Sequence, residues 1–230
     1  GFAAFMRSGQ GAFSEAEFRT VRDSFDRFCP GLNEEIQGLA DALDMPPAHV
    51  VYYAQTYLRQ GHCSHMAVLP GLSASGHVLL GRSYEFDDTM DDLQLCTTHV
   101  TGKYAHVGFS SLLLGRLDGM NAHGLAVTMS AGVLPVGTAP GLRPPIQDGL
   151  QFWALIRTVL ETCRTVDEAL DWIERVPCAG NPILIVADRD GHAALVEIFG
   201  PHQAVRRIDG DSSEGYVCAA NHYTMPETRQ

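Results

Sequence analysis

The period of the apolar residues changes at Cys63, and that change limits what the chain can fold into. Before it, apolar side chains recur at helical spacing; after it, they fall in short alternating or continuous runs. Ser14-Glu15-Ala16-Glu17 has the form of a capping box and predicts a helix carrying Phe18, Val21, Phe25 and Phe28, ended at Cys29-Pro30. Asn33 is placed to cap a second helix with Ile36, Leu39, Ala40 and Leu43. Pro46-Pro47 open a third, with Val50, Val51, Ala54 and Leu58, closing near Gln60-Gly61. Beyond Cys63, strands are predicted over 65–69 and 77–84, joined as a hairpin by the turn at 73–76, and then over 95–100, 105–114 and 125–130. A Gly- and Pro-rich loop (132–145) leads to a helix from about Gln147, with Phe152, Trp153, Ile156, Val159, Leu160 and Cys163 on one stripe. Thr165-Val166-Asp167-Glu168 opens another helix. Strands over 183–187, 193–198, 204–208 and 216–220 follow, the first two turned by Asp190-Gly191. Strands, two helices and strands again predict an α+β fold with antiparallel sheets rather than βαβ units.

Composition narrows the function. The 230 residues are 45% hydrophobic and 19% charged, enough apolar matter for one large domain or a core with an appendage. No apolar run reaches the length of a membrane span. With 27 acids against 16 bases the formal charge is −11, which repels nucleic acid. The one lysine, Lys103, lies outside any GxxxxGK[ST] motif, which excludes a P-loop, and there is no HExxH. Gly71-Leu72-Ser73-Ala74-Ser75 is one residue short of GxSxG and sits in the hairpin turn. Asp188-Arg189-Asp190-Gly191 reads as a turn rather than a calcium loop. His62-Cys63-Ser64-His65 groups three metal-type ligands without a fourth, so no metal is expected. Six cysteines without a CxxC pair suit thiols in a reducing, cytoplasmic setting. The start, GFAAFMRSGQG, has no signal-peptide pattern and no initiator Met, and reads as a trimmed or processed end.

Five of the cysteines read as small buried hydrophobes. Cys63 stands apart because it marks the change from helix to strand. The hairpin would bring Arg82 and Glu85, from Gly81-Arg82-Ser83-Tyr84-Glu85-Phe86-Asp87, back beside it. A guanidinium there favours the thiolate, and a carboxylate orients an amine.

Cys63-Ser64, Gly81-Arg82-Ser83-Tyr84-Glu85-Phe86, Asp118-Gly119-Met120-Asn121-Ala122-His123-Gly124-Leu125-Ala126-Val127 and Ala220-Asn221-His222 occur in an order that resembles the choloylglycine hydrolase superfamily of N-terminal-nucleophile (Ntn) hydrolases. The resemblance is to the branch of acyl-CoA:6-aminopenicillanic acid acyltransferase-like, or C45 autoproteolytic, enzymes. It implies a four-layer αββα sandwich, with residues 1–62 as a helical pro-segment and 63–230 as the core. It also implies self-cleavage between His62 and Cys63, after which Cys63 carries both the nucleophilic thiol and a free α-amine.

Carried over by position, Arg82 assists the nucleophile, Glu85 stands for the family's aspartate that holds the amine, and Ser83 replaces its usual asparagine. Asn221 donates to the oxyanion, with a backbone N–H near Ser130 or Ala131 as the second donor. Asn121 and Gly124 read as structural turn residues. The family continues further past the asparagine than residues 222–230 do here, which leaves three readings open: a truncated core, a remainder that lies elsewhere, or a shortened homologue. The implied function is hydrolysis or acyl transfer at linear, non-peptide C–N amide bonds of small molecules. No cofactor is implied, acyl-CoA is open as a co-substrate, and no nucleic acid or membrane is expected as a partner. The cleaved pro-segment and core would pair as a heterodimer, and a homo-oligomer is also open. Two rival readings stand beside this one: an uncut thiol hydrolase pairing Cys63 with a histidine such as His222, and a degenerate homologue that binds without turnover.

Overall fold

The computed structural model describes residues 13–55, 62–85, 93–110, 114–132, 147–209 and 214–229. Three helices come first: α1 (Glu15–Phe28), α2 (Leu32–Ala42) and α3 (Pro47–Gln55). Six strands follow: β1 (Ser64–Val68), β2 (Leu79–Ser83), β3 (Gln94–Thr98), β4 (His106–Ser110), β5 (Gly119–Asn121) and β6 (Ala126–Ala131). Helices α4 (Phe152–Thr162) and α5 (Val166–Arg175) lead to β7 (Pro182–Ala187), β8 (Ala193–Phe199), β9 (His202–Ile208) and β10 (Tyr216–Ala219). The strands form two antiparallel sheets, a small one ordered β10-β1-β2 and a large one ordered β3-β4-β5-β6-β7-β8-β9. The close of the third helix predicted near Gln60-Gly61, the Phe86-Asp87 part of the β2 run and the loop over 133–145 lie outside the described residues.

The run Pro182-Ile183-Leu184-Ile185-Val186-Ala187 is apolar at every position, and β7 is accordingly buried on both faces. Ile183, Ile185 and Ala187 join Ala67, Leu69, Leu195 and Val217 in the core between the sheets. Leu184 and Val186 face the opposite way, into the core under the helices. That second core takes in α4 and the N-terminal helices together: Phe25, Leu32, Ile36, Ala40, Val50 and Val51 pack with Trp153, Leu155, Ile156 and Val127. Phe25 meets Trp153 edge to face at 5.6 Å, both rings fully buried. Arg157 of α4 ties the two parts electrostatically, reaching Glu35 at 2.5 Å and Glu161 at 2.8 Å, while Lys103 meets Glu161 at 2.7 Å. The layers are therefore helices, large sheet and small sheet. The outer face of the small sheet exposes Met66, Leu79 and Tyr216. No helix among the described residues is long and apolar enough to cross a membrane.

Local chemistry explains most boundaries. The Ser14/Glu17 capping box forms as the spacing predicts. Asp188 accepts from the N–H groups of Asp190 and His192 in the β7–β8 turn and from Val166 N at the start of α5, so its carboxylate serves a hairpin and a helix end. Asn33 does not cap α2. Gly31, at φ +89°, takes that position, because Asn33 donates instead to Arg22 O and Asp26 Oδ1 on α1. Helix α4 starts at Phe152 rather than near Gln147. The preceding residues are drawn out by Gln147 Nε2 donating to Cys178 O and Gly200 O, and by Leu150 N donating to Pro177 O. Strand β5 was expected as part of a turn. It is a three-residue strand whose closing turn is built by Asn121 and by Gly124 at φ +84°.

The segment after β10 is held down by one buried acid. Glu197 on β8 accepts from Thr224 N and Oγ1, Met225 N and Thr228 Oγ1, at 2.5–3.1 Å. Burial alone raises a carboxyl's pKa, but these hydrogen bonds outweigh it and hold Glu197 below the ordinary value. A depressed carboxylate pKa contributes stability above the unfolded value and loses it as pH falls through the folded one. Glu197→Gln should therefore destabilise the protein by about 1–3 kcal/mol at neutral pH. Below about pH 4.3 that gap should narrow; urea midpoints measured against pH test this, and a gap that does not depend on pH contradicts it. Phe25→Ala should lower stability by about 3–5 kcal/mol with an unchanged m-value if α1 shares the core. A midpoint equal to wild type would place α1 outside it.

Candidate active site

Strand β5 is short, and this leaves an open edge in the large sheet. It pairs with β6 only through Gly119–Val127 and Met120–Ala126, so residues 128–131 of β6 have no β5 partner. On the other side, Gly132 N donates to Asn181 O at 2.8 Å, and the β6–β7 register runs on through Ser130–Ile183. Antiparallel alternation then turns the peptide groups of Ser130 toward β7 and those of Met129 and Ala131 toward the open edge. Two side chains meet them there. Arg82 Nε donates to Met129 O at 3.1 Å, and Asn221 Nδ2 donates to Ala131 O at 2.7 Å. The Ala131 N–H points to the same side.

Cys63 joins this edge through Asn221. Its backbone N–H donates to Asn221 Oδ1 at 2.6 Å. The carboxamide orientation is forced, because a peptide N–H can only donate and the Ala131 carbonyl can only accept. Asn221 thus bridges the start of β1 to the open edge of β6, and Nδ2 keeps a second hydrogen. The setting of the thiol is equally distinctive. Cys63 is 6% exposed, yet it belongs to neither apolar cluster. Cys29, Cys163 and Cys178 do lie in the apolar core, where burial pushes Cys29 up to about 11 and Cys178 up to about 12. All six cysteines are free thiols.

The β1–β2 register pairs His65 with Arg82 and Ser64 with Ser83, so the hairpin does return Arg82 beside the start of β1. The guanidinium stacks over Tyr84 at 4.4 Å and pairs with Asp118 at 3.1 Å. Asp118 also accepts from Phe109 N, which fixes its carboxylate on β4. Glu85 is placed differently. Its side chain is exposed and accepts from Ser83 Oγ at 3.2 Å, while its backbone carbonyl accepts from His62 N at 3.1 Å. The acid that meets Arg82 is therefore Asp118, part of the DGMN run, whose role the sequence did not signal because its partner lies 36 positions away.

His62 and His222 are exposed, and no histidine among the described residues hydrogen-bonds the Cys63 thiol. His65 is buried between Thr128 Oγ1 (2.8 Å) and Ser130 Oγ (3.2 Å), and Ser130 Oγ donates on to Ala220 O. Among the described residues no group of three or more His, Cys, Asp or Glu is arranged to hold a metal ion. Asn121 carries fold, donating to Leu160 O of α4 and to Cys163 O just past its end. Tyr223 wedges the segment after Asn221 against the end of β6: its hydroxyl donates to Ile198 O, and its ring lies where any side chain on Gly132 would stand. A cleft of about 590 Å³ runs between the sheets from Arg82 and Thr128, walled by Leu80, Val107, Phe109 and Met120.

The fold is shared with a solved structure, and a family model covers most of the chain. No curated protein matches the chain. Among solved structures, a Caenorhabditis elegans N-acylethanolamine-hydrolyzing acid amidase ortholog superposes with a TM-score of 0.54 at 16% identity, covering 72% of this chain and 72% of that one. A conjugated bile acid hydrolase from Clostridium perfringens gives a TM-score of 0.49 at 14% identity, covering 67% of this chain and 52% of that one. Penicillin V acylase from Agrobacterium tumefaciens gives 0.36 at 21% identity, covering 65% and 43%. The family model of acyl-coenzyme A:6-aminopenicillanic acid acyl-transferase matches residues 72–230. With most of its length under that model, the chain belongs to the acyl-coenzyme A:6-aminopenicillanic acid acyltransferase family.

Proposed function

We propose that this protein is a cysteine Ntn amidohydrolase or acyltransferase acting on the amide bond of a small molecule, activated by cutting itself between His62 and Cys63. The observation that carries the reading is the Asn221 carboxamide, which joins the Cys63 N–H to the Ala131 carbonyl at the open edge of β6. In the uncut chain, that N–H belongs to the bond to be broken. The Cys63 thiol attacks the His62 carbonyl carbon, and the C–N bond breaks as its nitrogen takes up a proton. Water then hydrolyses the thioester, leaving His62 as a carboxylate and Cys63 with a free thiol. The backbone bond from His62 N to Glu85 O steadies the other side of the cut.

Once free, the Cys63 α-amine has a reference pKa of about 7.7–8.0 and serves as base near neutrality. Asn221 Oδ1 remains beside it to orient the lone pair toward the thiol proton. The thiolate attacks the substrate carbonyl and the amine leaves protonated. Water or an acceptor amine then takes the acyl group from sulfur. The second Asn221 Nδ2 hydrogen and the Ala131 N–H are the oxyanion donors; Ser130 N–H is engaged with β7 by register. Arg82, fixed by Asp118 and Met129 O, supplies positive charge to the thiolate. Glu85 acts through its backbone in the uncut chain. The apolar walls of the cleft beside Arg82 suit the acyl part of the substrate. Residues 1–62 stay attached after cutting, through Phe25–Trp153 and Glu35–Arg157, as one chain of a heterodimer.

Mass spectrometry of the denatured purified protein tests the cut. Two chains divided before Cys63 are expected, and Cys63→Ala should leave one chain and abolish turnover of an N-acyl p-nitroanilide. A single wild-type chain that turns over the amide would favour the thiol–histidine reading, and a single inert chain the binding homologue. Asn221→Ala should lower kcat by about 10²–10³-fold, the usual loss of one oxyanion donor. A change confined to KM would remove Asn221 from the transition state.

A further inference from the structure

His65 is a polar side chain buried between the two sheets. It is 3% exposed, on the inner face of β1, with Arg82 and Ala219 opposite it on the neighbouring strands. Both ring nitrogens have partners, as burial requires, and the hydrogens of those partners can be counted. Ala220 O can only accept, and Ser130 Oγ lies 2.6 Å from it, so the Ser130 hydroxyl hydrogen points there. Ser130 Oγ then has only lone pairs left for His65, and the His65 Nε2, 3.2 Å away, is the donor. In a neutral ring Nδ1 is then bare, and Thr128 Oγ1 donates to it at 2.8 Å. Burial, with the Arg82 charge adding to it, pushes His65 down to about 3, so the ring carries no proton on Nδ1 near neutrality.

The chain of bonds ends where it matters. Ala220 is the first residue past β10, beyond the last ladder pair, and Asn221 follows directly. Building on the catalytic reading above, we infer that His65 is a positioning residue for Asn221: as the Nε2–H tautomer it orders Ser130, which fixes the Ala220 carbonyl and so the carboxamide that holds Cys63. The path closes a ring, Cys63 to Asn221 to Ala220 to Ser130 to His65, two residues from its start. An apolar residue at 65 fills the space and leaves the Ser130 hydroxyl free to rotate away from Ala220. Catalysis responds strongly to such slack, since displacement of about 1 Å costs about 10²-fold in rate.

Two independent measurements test this on the full chain. Nitrogen-15 spectra of histidine-labelled Cys63→Ala protein, which stays uncut, should show His65 as the neutral Nε2–H tautomer, unchanged from about pH 5 to about pH 8. An Nδ1–H tautomer, or titration in that window, overturns the inference. For turnover of an N-acyl p-nitroanilide, His65→Gln keeps an N–H for Ser130 and should retain kcat within about threefold. His65→Met should lose about tenfold to a hundredfold in kcat, with KM within about twofold. Ser130→Ala should lose as much, and adding it to His65→Met should cost less than about twofold more. Equal losses in the Gln and Met variants, additive losses, or a change in KM alone overturn it. If His65→Met does not fold, Ser130→Ala and the tautomer carry the test. The tautomer is read without turnover, so failure of the catalytic reading, seen as full activity in Cys63→Ala, is distinguishable.

Discussion

One side-chain amide joins the two halves of this molecule's chemistry. Asn221 sits just past the last strand of the small sheet and touches Cys63 N with its oxygen and the Ala131 carbonyl with its nitrogen. The second contact would not exist if β5 ran the length of β6, because the Ala131 carbonyl would then be paired in the sheet. A strand cut short to three residues thus creates a row of unpaired peptide groups, and Arg82 and Asn221 fill it with donors. An unpaired sheet edge is ordinarily a liability. Here its polar groups organise a site.

The surroundings serve that edge. Glu197 gathers Thr224, Met225 and Thr228, Tyr223 presses on Gly132, and both restrain the segment that carries Asn221. Asp118 holds Arg82, while Phe109 N holds Asp118. Glu197, Arg82 and Asp118 are buried or half-buried with partners, so the arrangement is rigid before any substrate arrives, which favours electrostatic stabilisation of a transition state. The same burial separates Cys63 from the other buried cysteines. Those lie in the apolar core with their thiols held protonated, whereas Cys63 lies outside both apolar clusters with its backbone N–H on Asn221.

What the sequence revealed follows the range of each interaction. The capping box at Ser14, the buried run of β7 and the Asp188 turn are local, and they formed where the spacing predicted; at Thr165 only the hydroxyl cap forms, because Glu168 accepts from Arg164 N instead. The motif order carried the family and led to Cys63, Arg82 and Asn221, which the fold gathers at one edge. Glu85 shows the limit: two residues past the end of β2, its strand-like alternation sends the carboxylate outward to Ser83. Its position in the motif gave no hint of this. Asp118, Glu197 and His65 were not legible as site residues because their partners lie 36, 27 to 31 and 63 to 65 positions away. The choice between Ser130 and Ala131 as backbone donor needed the strand register, which a spacing rule cannot supply.

The central claim is that sulfur at a chain terminus carries the acyl group. Protein mixed with an N-acyl p-nitroanilide, quenched in acid within the first turnover and digested for mass spectrometry, reads this directly. The acyl mass should appear on a peptide whose first residue is Cys63 and should leave with thioester lability to hydroxylamine. Product released with the acyl mass on another residue, or on a peptide in which His62 still precedes Cys63, would contradict the account.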